Sequence, residues 1–201
     1  MKTIIQQATF GELTPEFLAS LKGKMVGVTA SCFDLMHAGH DTMLEESYRE
    51  LCRRAKSDQE VILITLLQTD PRVDRPEKNA PVQSFEERKT EALNNRYVGH
   101  GVPYTREAEL KENLKMLLAT LGAENLCRFL GEEYEGKQFT GYELGIPLFF
   151  NKRAYHGYST SALRSRVYEA EVAKRARSLE EVPARRRFRL RPAQPQHLKA
   201  V

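Results

Sequence analysis

The segment from Val28 to His40 (VTASCFDLMHAGH), running on through Asp41 to Glu46, constrains the fold of this chain more than any other. Met25 to Ala30 is a short apolar run of the kind that makes a buried parallel strand. From about His40 to Ala55, Leu44, Tyr48, Leu51, Cys52 and Ala55 fall on one face, which predicts an amphipathic helix. A helix that starts directly after a strand turns backbone N–H groups and its positive dipole end outward, a setting that favours phosphate. Gly39 removes the side chain that would hold a phosphate away from the main chain. His37 and His40, three residues apart, reach the same side of one turn and can donate to one phosphoryl group, where donors act on charge that builds in the transition state. A bare His-x-Gly-His also arises by chance, with both histidines capping the helix or facing water. The strand-to-helix setting and the preceding Phe33-Asp34 favour the functional reading.

Alternation of the same kind continues along the chain. Thr14-Pro15 predicts a short leading helix, with proline at the first helical position. Glu60 to Leu67 is a β-branched, apolar strand candidate. Residues 68–83 form a polar loop punctuated by Pro71, Pro76 and Pro81 and carrying Arg72, Arg75 and Lys78. Ser84 to Glu87 is a capping-box sequence that starts a helix reaching about Asn95. Tyr97 to Val102, Leu126 to Leu130 and Ile146 to Phe150 read as strands. Glu107 to Leu121 and Ser161 to Ala176 read as helices. The expected fold is α/β, a Rossmann-like, doubly wound parallel sheet. It is placed in a single domain over 24–176, with an N-terminal extension over 1–23 and a basic tail over 177–201. Ligands of such sheets bind beyond the carboxyl ends of the strands, at the point where the winding reverses.

Three motifs recur in order. Cys32 to His40 fits F-D-x-x-H-x-G-H, with Ser31 where the longer pattern begins with glycine. Asn95-Arg-Tyr-Val98 fits R-Y-V-D, with Gly99 in place of the aspartate. Tyr158-Ser-Thr-Ser161, followed by Ala-Leu-Arg164, fits a Ser/Thr triplet that opens a closing helix. Together they span roughly Lys24 to Tyr168 and resemble the His-x-Gly-His nucleotidyltransferase superfamily, in its cytidylyltransferase branch, nearest the glycerol-3-phosphate cytidylyltransferases.

That resemblance implies attack of a substrate phosphate oxygen on the α-phosphate of CTP, with release of pyrophosphate and formation of a CDP-linked product. Such a transfer asks for alignment and charge neutralisation. It implies Mg2+ arriving with CTP, so no side chain is assigned as a metal ligand. His37 and His40 would meet the α- and β-phosphates, and Lys78 stands where related sequences carry a phosphate-neutralising lysine, although a solvated loop charge is the ordinary fate of lysine. Cys32, Phe33, Asp34 and Gly39 belong to the nucleotide-binding segment. Cys32 reads equally as a small buried residue, and Asp34 either meets metal or a substrate hydroxyl or caps the following turn.

Arg96 is assigned to the CTP site, and Glu133, beside Glu132, to the exocyclic amine of cytosine. Arg153 stands where related sequences have an arginine before the last motif, although six residues, not five, separate it from Ser159. Ser159, Thr160 and Ser161 would hold the triphosphate with hydroxyls and N–H groups, or simply cap the helix. Tyr155, His156 and Tyr158 would line the acceptor pocket or pack. Adenylyl transfer from ATP to a sugar or polyol phosphate shares the same core motif. A nucleotide- or nucleic-acid-binding module without turnover is the reading from a different class.

That last reading draws on the tail. From Glu171 onward nine Lys/Arg stand against three Asp/Glu, so the +4 net charge belongs to the tail and not to the domain. Clustered arginines at Arg185 to Arg191 can bind phosphate backbones, but a solvated terminus or an arm on a neighbouring subunit is commoner, and nucleic acid is not expected as a partner. The expected partners are CTP and a small phosphorylated alcohol, in a homodimer. Three cysteines (Cys32, Cys52, Cys127) without C-x-x-C spacing fit neither a disulfide framework nor a zinc site and suit a reducing cytoplasm. Residues 1–13 lack the apolar core of a signal peptide. The longest apolar run, Val61 to Leu67, is too short to cross a bilayer, so no membrane is expected.

Overall fold

Apolar runs of five to eight residues with β-branched members can be buried on both faces only in a sheet covered by helices on each side, and that is how this chain arranges them. The computed structural model describes residues 8–152 and 157–180. In chain order the elements are β1 (Thr9–Phe10), α1 (Pro15–Ser20), β2 (Met25–Ser31), α2 (Ala38–Arg54), β3 (Val61–Gln68), α3 (Phe85–Asn94), β4 (His100–Tyr104), α4 (Glu107–Leu121), β5 (Leu126–Gly131), β6 (Leu148–Asn151) and α5 (Thr160–Glu180), with short 3-10 turns between some of them. The sheet runs β1-β4-β3-β2-β5-β6, and every neighbouring pair is parallel. Winding proceeds outward from β2 through β3 to β4, then returns to the other side of β2 for β5 and β6. The switch point therefore lies between β2 and β5, as expected of a doubly wound, Rossmann-like sheet.

Two apolar layers follow from this winding. On one face Val26, Val28, Ile64 and Leu66 meet Leu110, Leu114, Leu117 and Leu121 of α4 and Leu13 and Leu21 around α1. On the other, Leu63, Leu67 and Phe129 meet Leu44 and Leu51 of α2, with Phe85 and Leu93 of α3 packed against them. Gly27 permits the close approach of α2, because a Cβ there would lie 2.4 Å from a Leu51 methyl. By contact density the chain divides into two units, Met1–Thr160 and Ser161–Val201. The first contains the sheet and everything described below. In the second, α5 carries mostly exposed side chains up to Ser178.

Residues 9–21 are part of the sheet and its cover, since β1 pairs with β4 and Leu13 and Leu21 are buried. One strand is displaced from its expected place. Tyr97 and Val98 lie in a turn closed by Val98 N–H to the Asn95 carbonyl (3.0 Å) and Tyr97 N–H to Asn95 Oδ1 (3.1 Å), so β4 starts only at His100. β6 likewise begins at Leu148, two residues after the expected Ile146. Among the described residues no helix is long and apolar enough to cross a membrane.

Candidate active site

The loop from Cys32 to Met36 leaves the carboxyl end of β2 in an unusual conformation. Phe33 and Leu35 adopt φ of 51° and 49°, the left-handed region that costs a bulky residue on the order of 1 kcal/mol or more. Residues 81–88 hold it there. Asp34 Oδ1 accepts from the Val82 and Gln83 N–H groups (2.9 and 3.0 Å), and Leu35 N–H donates to Gln83 Oε1 (2.6 Å). Phe33 is fully buried. Asp34 thus braces a distant segment, Val82–Gln83, and not the turn that directly follows it.

Behind this loop lies a residue that the sequence pattern did not single out. Arg88, on the first turns of α3, is 1% exposed. Its guanidinium donates to the carbonyls of Cys32 (2.6 Å), Gln68 (2.7 Å), Thr69 (2.5 Å) and Gln83 (3.4 Å). A planar fork with five donors suits this task in a way an ammonium does not. It ties together the carboxyl ends of β2 and β3 and the segment that braces Asp34. Cys32 Sγ sits 3.3 Å from the same guanidinium, yet burial outweighs that charge and pushes the thiol pKa up. Cys32 is thus a half-buried side chain whose burial disfavours the thiolate.

The loop delivers His37 as the N-cap of α2. Its Nδ1 accepts from Gly39 N–H at 3.0 Å, so in the neutral ring the proton sits on Nε2. Capping and ligand binding thus use different nitrogens of one ring. One helix-start N–H expected to face a ligand is spent on this cap, and the Nε2–H is presented instead. The His40 ring lies 4.3 Å from that of His37, centroid to centroid, and 5.6 Å from Phe33. Gly39 is required by packing as much as by access, because a Cβ there would meet His37 Cε1 at 2.8 Å and Tyr158 Cβ at 3.0 Å. Thr160 Oγ1, at the start of α5, stands 3.4 Å from His37 Nε2 and 3.4 Å from the Asp34 carbonyl.

These residues enclose a small pocket of about 60 Å³ at the switch point, lined by His37, Gly39 and His40, by Met43 and Glu46 of α2, by Gly131 and Asn151 at the ends of β5 and β6, and by Lys152, Tyr158, Ser159 and Thr160. The first and last motifs of the sequence therefore meet. Glu133 folds back over Gly131, whose missing Cβ leaves room for its carboxylate, but Glu133 is not among the lining residues. Ser161 follows in α5 and is exposed. Arg153, Tyr155 and His156 lie outside the described residues, as does the arginine cluster of the tail. Asn151 and Lys152 had no signal in the sequence, because only the register of β6 on β5 brings them to α2, whereas Glu46 stands on α2 itself, six residues after His40.

Of the assigned residues that the structure describes, Cys32, Phe33, Asp34, Glu133, Ser161, Arg96 and Lys78 do not line this pocket. Arg96 lies in a separate, open depression with Asp41, Glu45, Glu91 and Tyr97. Its guanidinium covers the Tyr97 ring at 4.7 Å and donates to the Tyr97 hydroxyl at 2.5 Å, a consequence of the Asn95–Val98 turn. Lys78 is exposed on the 69–83 loop. The neighbouring cations are committed elsewhere, Arg72 to Asp70 and Arg75 to Glu107. Among the described residues no group of three or more His, Cys, Asp or Glu is placed to hold a metal ion. The pocket offers one carboxylate, Glu46, which fits a Mg2+ ion carried in on substrate phosphates.

No family model and no curated protein matches this chain. Solved structures do resemble it. A lipopolysaccharide core biosynthesis protein from Thermoplasma volcanium is 18% identical, with 65% of this chain and 96% of that one covered, at a TM-score of 0.45. Pantothenate synthetase from Thermus thermophilus is 15% identical over 72% of this chain and 60% of its own, also at 0.45. Neither likeness bears on the chemistry of this chain.

Proposed function

We propose that this protein is a nucleotidyltransferase that transfers CMP from CTP to a small phosphorylated polyol such as glycerol 3-phosphate. The observation that supports this most is the pairing of His37 and His40 at the start of α2, with Thr160 brought to His37 Nε2 from the far end of the chain. In the reaction an acceptor phosphate oxygen attacks the α-phosphorus of CTP. The bond to the bridging oxygen breaks, and pyrophosphate leaves with the electron pair. His37 Nε2–H and the His40 ring donate to non-bridging and bridging oxygens as charge accumulates there. Ser159 and Thr160 hydroxyls bind the outer phosphates, and exposed Lys152 adds a positive charge at the rim. Mg2+ held on the triphosphate, with Glu46 beside it, would neutralise part of the remaining charge.

The acidic Glu132-Glu133 pair next to Gly131 supports cytosine as the base. A homodimer in the cytoplasm completes the reading. The test is pyrophosphate release from CTP, ATP, UTP and GTP with Mg2+ and a panel of polyol and sugar phosphates. CTP with glycerol 3-phosphate should be the preferred pair. Preference for ATP would move the activity to adenylyl transfer, and release from no nucleotide with any acceptor would remove the enzyme assignment. Light scattering reports the oligomer in the same samples.

A further inference from the structure

Asn151 is the last residue of β6, 3% exposed, and lines the pocket. Its Nδ2 faces Ser47 Oγ on α2 (3.3 Å) and the Leu130 carbonyl (3.5 Å). The Leu130 oxygen can only accept, and the Ser47 hydroxyl already donates to the Met43 carbonyl at 2.7 Å. The amide orientation is thereby fixed, with its nitrogen towards these two acceptors. Asn151 Oδ1 is buried, and no donor among the described residues reaches it. A buried acceptor left without a donor is costly, so it implies a group that supplies one.

Its position says which group. His40 and Ser47 lie seven residues apart on α2, a separation of roughly 10 Å along the helix axis. Asn151 meets α2 at Ser47 and also lines the pocket, so it lies towards the side away from His40. In a nucleotide whose phosphates meet His37 and His40, that side receives the base. We infer that Asn151 Oδ1, oriented by Ser47, accepts the exocyclic amine of the nucleotide base. It would thus select cytosine or adenine over bases carrying a carbonyl oxygen at that position. A carbonyl facing Oδ1 would set acceptor against acceptor, and such a buried mismatch discriminates strongly. The inference rests on the nucleotidyltransferase reading and adds a base-selecting residue to it.

The experiment compares nucleotides that differ only at the amine: CTP against UTP, and ATP against ITP. Binding of each to the full chain is measured by titration calorimetry, and pyrophosphate release by kcat/KM, for wild type, Asn151→Leu and Ser47→Ala. Wild type should prefer the amine-bearing member of at least one pair, and which pair it is identifies the base. In Asn151→Leu the amine-bearing nucleotide should lose on the order of tenfold or more in kcat/KM, with its carbonyl partner little changed, so that the ratio collapses. Ser47→Ala releases the amide to rotate and should narrow the ratio without removing the acceptor. It also serves if Asn151→Leu fails to fold. An unchanged ratio in both folded variants would mean that a buried water satisfies Oδ1, and would overturn this inference while leaving the transferase reading standing. Preserved base discrimination in binding without turnover would sink the transferase reading alone. Binding of no nucleotide overturns both.

Discussion

Thr160 Oγ1 stands 3.4 Å from His37 Nε2, although 123 positions separate the two residues. The contact joins the N-cap of α2 to the Tyr158–Ser161 motif. His37 meanwhile serves the helix through its other nitrogen, accepting from Gly39 N–H. Those two duties can be separated by substitution. His37→Ala and His40→Ala should each lower pyrophosphate release by on the order of a hundredfold. His37→Ala should also lose about 1 kcal/mol of stability with the cap, whereas His37→Asn keeps a capping side chain and should retain stability without the rate. Near-normal turnover of both alanine variants with folding intact would remove the mechanism. Thr160→Ala should weaken the melting-temperature rise given by CTP and Mg2+, since a ligand of the folded state must stabilise it.

Gly39→Ala is expected to lower activity far more than stability. Alanine favours a helix by up to about 1 kcal/mol over glycine, but its Cβ would press on the His37 imidazole and on Tyr158. The ring must shift, and catalytic geometry tolerates little displacement. Turnover should fall by at least roughly tenfold while the melting temperature stays level or drops slightly. Calorimetry alongside the pyrophosphate assay checks both. Full activity would show that the His37 ring position is not set by this contact.

Arg88 should matter out of proportion to its anonymity in the sequence. Arg88→Leu leaves the Cys32, Gln68, Thr69 and Gln83 carbonyls without their shared donor, and several lost charge-assisted bonds should destabilise by on the order of 3 kcal/mol or more. Arg88→Lys keeps the charge and loses the fork, so it should recover only part of this. Denaturant titration measures the loss. Hydrogen exchange should show faster opening of residues 69–83 than of β3, and uniform exchange across both would argue against a bracing role.

Legibility of this chain depended on how local each signal was. Met25–Ser31 and Val61–Gln68 are mostly apolar, and α4 ended where expected because Gly122, at φ 71°, stops it. The Ser84–Glu87 capping box formed as its spacing implied. β1 gave no such signal: two residues gain strand character only by pairing with β4, about ninety positions away. Arg96 lies outside the His37–His40 pocket because the Asn95 side chain and carbonyl close a turn that a motif match does not register. The histidines were legible from their spacing at a strand-to-helix turn and Ser159-Thr160 from the motif they resemble, and all four line one pocket. Asn151 and Arg88 owe their positions to the stacking of distant strands and helices, which one sequence does not spell out.

The N-terminal edge of the sheet should be sensitive to acid through His100. Its ring is buried against Phe17, with centroids 3.9 Å apart, Nδ1 lies 2.6 Å from Thr9 Oγ1, and Nε2 lies 3.2 Å from the Gly11 carbonyl. The carbonyl can only accept, so Nε2 carries the proton and Nδ1 accepts from the threonine hydroxyl. Burial lowers the His100 pKa below the ordinary histidine value, outweighing the Gly11 bond that would raise it. The unfolded chain therefore takes up this proton at higher pH than the folded one. The stability due to neutral His100 is complete above the unfolded value of about 6.5 and is lost as pH falls from there through the folded pKa. Urea titrations at intervals from pH 8 down to about 5 should show wild-type stability declining more steeply than that of His100→Gln, which cannot titrate. Hydrogen exchange at Thr9 and Gly11, whose N–H groups pair with Gly99 and Gly101, should quicken over the same interval in wild type only. Parallel pH profiles for the two proteins would show that His100 does not set the acid response of this edge.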